Sequence, residues 1–126
     1  MSIRVVRLGS PRGRGEGLRI GTVRRPPRAV PKNEFVSGNW YDVWLPNLAP
    51  SAELVKQALA VRSEREWAQF VRRYRAEMAG QSRILDLLAA LSITADFSVG
   101  CYCEDETRCH RSVLRELLRE RDARIA

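Results

Sequence analysis

The chain has 126 residues and a formal net charge of +7, a length that fits one domain. Its hydrophobic share of 44% is enough for a real core and excludes wholesale disorder. No apolar run approaches the ~20 residues that span a bilayer, so no membrane partner is expected.

The charge is unevenly spread. Residues 1–32 carry nine Lys/Arg and one acid, whereas residues 33–126 carry thirteen bases and fourteen acids. Arg outnumbers Lys twenty to two. A codon-usage bias accounts for that ratio but not for the clustering. Guanidinium groups favour planar, bidentate contact with phosphate or carboxylate.

In chain order, Ile3–Leu8 reads as a first strand, with Val5 and Val6 in a β-branched run. Met1–Leu8 carries no signal-peptide core. Residues 9–17 contain four glycines and a proline and read as a mobile loop. Leu18–Arg24 reads as a second strand, expected to pair with the first. Pro26, Pro27 and Pro31 make residues 25–39 irregular. A third short strand over Tyr41–Leu45 ends at Pro46.

The middle is helical. Ser51 can cap a helix running to Ala60. Ser63-Glu64-Arg65-Glu66 matches a capping box, in which Ser and Glu reciprocally satisfy free amides. Trp67, Phe70, Val71, Tyr74 and Met78 then recur at helical spacing, which makes the three aromatics core rather than a binding surface. Gly80 is expected to stop that helix. Ser82 starts another, with Ile84, Leu85, Leu87, Leu88 and Leu91. Phe97–Cys103 reads as a fourth strand. A helix from about Arg108 to Arg121 follows, striped by Val113, Leu114, Leu117 and Leu118. This order predicts a single α/β domain: a small sheet of about four strands covered by helices.

Any chemistry is expected between Cys101 and Arg111. Alternation along the fourth strand puts Phe97, Val99, Cys101 and Cys103 on one face, and Gly100 lets a backbone or a ligand approach closely. Cys103 falls at the carboxyl end of the strand, where open α/β sheets bind ligands. The following helix opens with Arg108, His110 and Arg111, although a helix start favours acids. Cations on free amides make an anion pocket; against that, Glu104, Asp105 and Glu106 can neutralise them as surface ion pairs. Cys109, beside His110 and two Arg, has surroundings that lower a thiol pKa and permit a nucleophilic or redox role. A buried packing role competes evenly. His110 can act as acid or base near neutral pH or hold the turn. A phosphatase-type C-x5-R loop is not read here, because Cys103 stands five positions before Arg108, not six.

Cys101, Cys103, Cys109 and His110 are four soft ligands suited to zinc. C-x-C is tighter than the usual chelating spacing, and adjacent Cys109 and His110 should diverge at a helix start. No resident metal or cofactor is therefore expected, with zinc the alternative. A Cys101–Cys103 or Cys103–Cys109 disulfide switch is a further alternative. Three cysteines, odd in number and crowded together, do not make a secreted disulfide framework. Reduced thiols and a cytoplasmic location are expected.

Cys101-x-Cys103 followed by Cys109-His110-Arg111-Ser112-Val113-Leu114 resembles the signature of the DUF488 family, small bacterial and archaeal proteins without an assigned activity. The rest is similar to its short, stand-alone YeaO-like branch. Arg24, Pro27 and Arg28 match an early block of that branch, with Val23 and Pro26 in place of its Asp and Trp. Leu48-Ala49-Pro50-Ser51 and Trp67, Phe70 and Tyr74 match further along. The resemblance covers nearly the whole chain. It implies an α/β fold with the Cys-His-Arg turn beside the sheet, and it implies no activity.

The leading functional expectation is an enzyme or ligand site for a small anionic or phosphorylated molecule. Arg24, Arg28, Arg108 and Arg111 would bind it, and Cys109 with His110 would act on it. Nucleic-acid binding through the basic first quarter is the alternative. An interaction module whose cysteines only pack ranks third.

Overall fold

The strand that comes last in the chain lies inside the sheet. The computed structural model describes residues 1–126. Its strands are β1 (Ile3–Arg7), β2 (Leu18–Gly21), β3 (Val43–Trp44) and β4 (Phe97–Cys101), all parallel, in the order β1-β4-β2-β3. Residues Phe97 to Cys101 carry no charge and are buried at all five positions, as an interior parallel strand requires. Ile3 and Leu18 both register against Phe97, one on each side.

This overturns the expected pairing of the first two strands. A short loop joins neighbours only when they run antiparallel. β1 and β2 run parallel, so the ten residues between them span β4 instead. β1 bears Arg4 and Arg7 and takes the outer position. Its free edge is partly closed by the C-terminus: the Ile3 amide donates to the Arg124 carbonyl at 2.8 Å, and the Ala126 amide donates to the Ile3 carbonyl at 2.9 Å. The close approach allowed by Gly100 is to β1. An added Cβ there would sit 2.6 Å from the Val6 carbonyl oxygen.

Four helices pack on the sheet: α1 (Ala52–Leu59), α2 (Glu64–Met78), α3 (Ser82–Leu91) and α4 (His110–Arg119). The Ser51 hydroxyl caps α1 by accepting from the Leu54 amide. The Ser63 hydroxyl caps α2 by accepting from the Glu66 amide at 3.1 Å. The return half of that capping box is displaced by one residue, because the Glu66 carboxylate accepts from the Arg62 amide. Gly80 does not stop the chain in a left-handed conformation. It lies in a 3-10 turn, Ala79–Gln81, that leads directly into α3. β4 ends at Cys101, two residues before the expected end. Arg108 belongs to a separate 3-10 turn, Glu106–Arg108, rather than to α4.

The core joins Ile3, Ile20, Phe97 and Val99 of the sheet to Phe70, Tyr74, Leu85, Leu114 and Leu118 of the helices. Phe70 and Tyr74 are buried and stacked at 6.1 Å, and Trp67 stacks on Phe70 at 5.0 Å. The aromatic stripe is thus core, as its spacing implies. The buried Tyr74 hydroxyl donates to the Leu48 carbonyl at 2.7 Å. Tyr74→Phe leaves that buried carbonyl unpartnered and is expected to cost about 1–3 kcal/mol. In urea unfolding the midpoint should fall while the slope stays constant. No helix is long and apolar enough to cross a membrane.

Candidate functional site

Because all four strands run parallel, their carboxyl ends open on one edge of the sheet, where open α/β folds place their ligands. A cleft of about 1060 Å³ lies there. Each strand delivers part of it. Arg7 and Leu8 leave β1. Val23 to Arg28 follow β2. Trp44 ends β3 and Pro50 follows it. Cys101, Tyr102 and Cys103 leave β4, and Cys109 with His110 begin α4.

The floor is sulfur and imidazole. The Sγ atoms of Cys101, Cys103 and Cys109 lie within 4.8 Å of one another, as free thiols. Cys101 and Cys109 are buried and Cys103 is exposed. Cys109 is the residue capping α4, in extended backbone, not a member of its first turn. That places its sulfur back toward β4, where the other two are. Val23, Leu8 and Tyr41 pack around Cys101 and Cys109 in a small apolar cluster.

His110 is also buried. Its Nε2 lies 2.8 Å from the Thr22 carbonyl oxygen, and its Nδ1 lies 3.7 Å from Cys109 Sγ. A carbonyl can only accept, so Nε2 carries the proton and Nδ1 turns a lone pair toward the sulfur. Burial lowers the His110 pKa from 6.5 to about 4 and keeps it neutral. Tyr74 packs edge-on against the ring at 5.5 Å, which ties its orientation to the core.

Among the sulfurs, the thiol held low is Cys103. Hydrogen bonds from the Cys101 and Cys109 thiols favour its charged form, and nearby His110 and Arg111 add to that. Cys101 is pushed up by its hydrogen bond to Cys103, and Cys109 by its contacts with both other sulfurs and by burial. The surroundings expected to lower Cys109 therefore act on its exposed neighbour.

Arg111 does not reach the cleft. It is buried, donates from Nη2 to the Cys103 carbonyl at 2.7 Å, and leaves its Nε without a partner. Arg108 does line the cleft, yet it is engaged elsewhere, ion-paired to Glu64 and 5.7 Å from the Trp67 ring. The acids after β4 pair with neither of these arginines. Glu104 meets Arg7, Glu106 meets Arg115, and Asp105 caps its own turn through Thr107.

Arg24 and Arg28 both line the cleft. Arg24 donates to the Pro50 and Ala49 carbonyls, and so clips the segment before α1 to the one after β2. Arg28 has no ion pair, and neither do Arg25 and Lys56, which stand with it at the cleft. Arg25 and Lys56 escaped the sequence reading, as did the walls formed by Trp40, Trp44 and Tyr102. Trp40 and Tyr102 meet edge to face at 5.9 Å, and the Trp44 indole donates to the Val23 carbonyl. The signal that could have found them is position: once the strands are parallel, whatever follows each strand shares one rim.

The phosphatase spacing absent between Cys103 and Arg108 does occur between Cys109 and Arg115, which the sequence reading missed. The five residues between are helical and Arg115 is held by Glu106, so no phosphate-wrapping loop forms.

A family model described as DUF488-N3a, the active DUF488-N3 subclade, matches residues 3–122. No curated protein and no solved structure matches the chain.

Proposed function

The chain belongs to the DUF488 family, and we propose from the site itself that the cleft binds a small organic anion and presents it to the sulfur–imidazole floor. The observation that carries this reading is the make-up of the cleft lining. Arg24, Arg25, Arg28 and Lys56, none of them in an ion pair, line the same cleft as Trp40, Trp44, Tyr102 and three prolines and as Cys103, Cys109 and His110. A cleft that is mostly apolar with a few convergent polar groups is the usual form of a small-molecule site. The unpaired cations suit a phosphate or carboxylate, and Trp40, Trp44 and Tyr102 suit a flat apolar body. His110, neutral and aimed by Thr22, can take a proton at Nδ1.

The basic first quarter does not form one continuous stripe. Arg12 is paired with Asp42, Arg19 with Glu16 and Arg7 with Glu104. Arg24, Arg25 and Arg28, the arginines after β2, have no ion pair and line the cleft, which favours a small anion over a nucleic-acid backbone.

Tryptophan fluorescence during titration with phenyl phosphate and with inorganic phosphate tests the reading. Phenyl phosphate should bind more tightly because it also meets the walls. Each charge-assisted hydrogen bond contributes about 1.5–3 kcal/mol, so Arg24→Gln with Arg28→Gln should weaken binding roughly tenfold or more. Equal binding by the double variant would sink the proposal. So would stronger, steeply salt-dependent binding of an oligonucleotide in place of the small anion.

A further inference from the structure

We propose that Cys101, Cys103 and Cys109 hold one thiophilic divalent cation of the zinc class at the floor of the cleft, with its fourth position open to the cleft. The three sulfurs arrive from different elements. Cys101 ends β4, Cys103 lies in the turn, and Cys109 caps α4. Sulfurs bound to one zinc at about 2.3 Å in a tetrahedron stand about 3.8 Å apart. The three here already lie within 4.8 Å of one another, so small side-chain rotations complete the set. The tight C-x-C spacing is no obstacle, because the third sulfur is brought across by the strand-to-helix turn.

A second observation concerns charge. Arg111 is 4% exposed, has no carboxylate in ion-pair contact, and has an unpartnered Nε. A buried cation left so is costly. Three thiolates on a divalent ion carry one net negative charge, and that charge would sit beside Arg111, which holds the Cys103 carbonyl.

His110 stands outside the group of three, with its Nδ1 3.7 Å from Cys109 Sγ. Three protein ligands and an open position are the pattern of catalytic zinc, whereas four protein ligands make a structural site. The open position would receive a water or the anionic group of the ligand, with His110 beside it. This use of the fourth position rests on the anion reading; the binding of the ion does not.

The test uses the full-length chain purified with reductant. Its zinc content is measured, and Co2+ alone is then titrated into the metal-free form. One equivalent per chain is expected, with sulfur-to-cobalt charge transfer and the intense visible bands of four-coordinate cobalt. Cys103→Ser, at an exposed position that leaves the core intact, should lose intensity in the charge-transfer band and bind more weakly. Arg111→Met should weaken affinity by about 10–100-fold, the usual effect of removing a supporting partner. No uptake by the fully reduced wild type, or a cobalt spectrum unchanged in Cys103→Ser, overturns the proposal. The arginine double variant separates the two readings: it should keep the cobalt spectrum while binding phenyl phosphate roughly tenfold or more weakly. A wild type that takes cobalt and no anion leaves the ion in place and removes the anion site.

Discussion

Glu16→Ala is expected to destabilise the protein by about 3–5 kcal/mol, because it strands a buried charge. Arg19 is fully buried on β2, and its guanidinium donates to both Glu16 carboxylate oxygens, at 2.7 and 3.0 Å. Two further donations go to the Ser10 and Asn39 carbonyls. Glu16 also accepts from the Gly13 amide and from the Ser98 hydroxyl on β4. One ion pair thus ties the β1–β2 loop, the segment before β3 and the inner strand together. Burial alone would raise the Glu16 pKa. Hydrogen bonds from Arg19, Gly13 and Ser98, with the Arg19 charge, outweigh it and lower the value from 4.5 to about 2. Stability from this carboxylate is therefore fully present above about pH 4.5 and drains away as the pH falls toward about 2. Urea unfolding across that range should show a steeper acid loss in the wild type than in Glu16→Ala. A loss under about 1 kcal/mol at neutral pH, or parallel acid profiles, would contradict this account. Comparing the two proteins also isolates Glu16 from Asp42, whose pKa is likewise lowered, Arg12 and Arg19 outweighing its burial.

Gly17→Ala should be nearly as damaging, by about 2–5 kcal/mol. Gly17 has φ +77°, where a side chain alone costs about 1–2 kcal/mol. An added Cβ would also lie 2.0 Å from the Asp96 carbonyl oxygen, just before β4. The Leu18–Phe97 register of the sheet would have to part to admit it. Gly15 supplies the control. Its φ is +71°, yet the nearest atom to an added Cβ is a guanidinium nitrogen of Arg4 at 3.9 Å. Gly15→Ala should show only the conformational cost. Equal melting temperatures for the two variants would mean that the contact with Asp96 does not matter.

These two residues mark where local reading of the sequence stops working. Residues 9–17 form no helix or strand, as four glycines and a proline suggest, but they are not loose. The clue was Glu16, the lone acid among nine bases in the first 32 residues, three positions before an arginine. What local chemistry dictates was legible. Ser51 and Ser63 cap the helices they precede, the stripes of α2 and α4 face the core, and the Cys101–Arg111 turn sits at a strand end. Strand order was not legible, because Phe97 pairs with Ile3 and Leu18 across most of the chain's length and no local pattern encodes that. The walls of the cleft were lost with it. Trp40, Trp44 and Lys56 share a rim with the cysteines only because every strand points the same way. Arg111 was misassigned for a simpler reason: helical phase turns it inward while Arg108, in its own turn, faces outward.

The interior place of β4 has a further consequence for how the molecule is made. Neither β1 nor β3 can be joined into one sheet until residues 97–101 have been synthesised. An emerging chain therefore carries unpaired edges on β1 and β2 until β4 has emerged, the state in which nascent proteins stick to one another. Folding of the sheet awaits β4, and contacts this distant in sequence form slowly. A ribosome stalled before Phe97 would hold helices without the framework they cover.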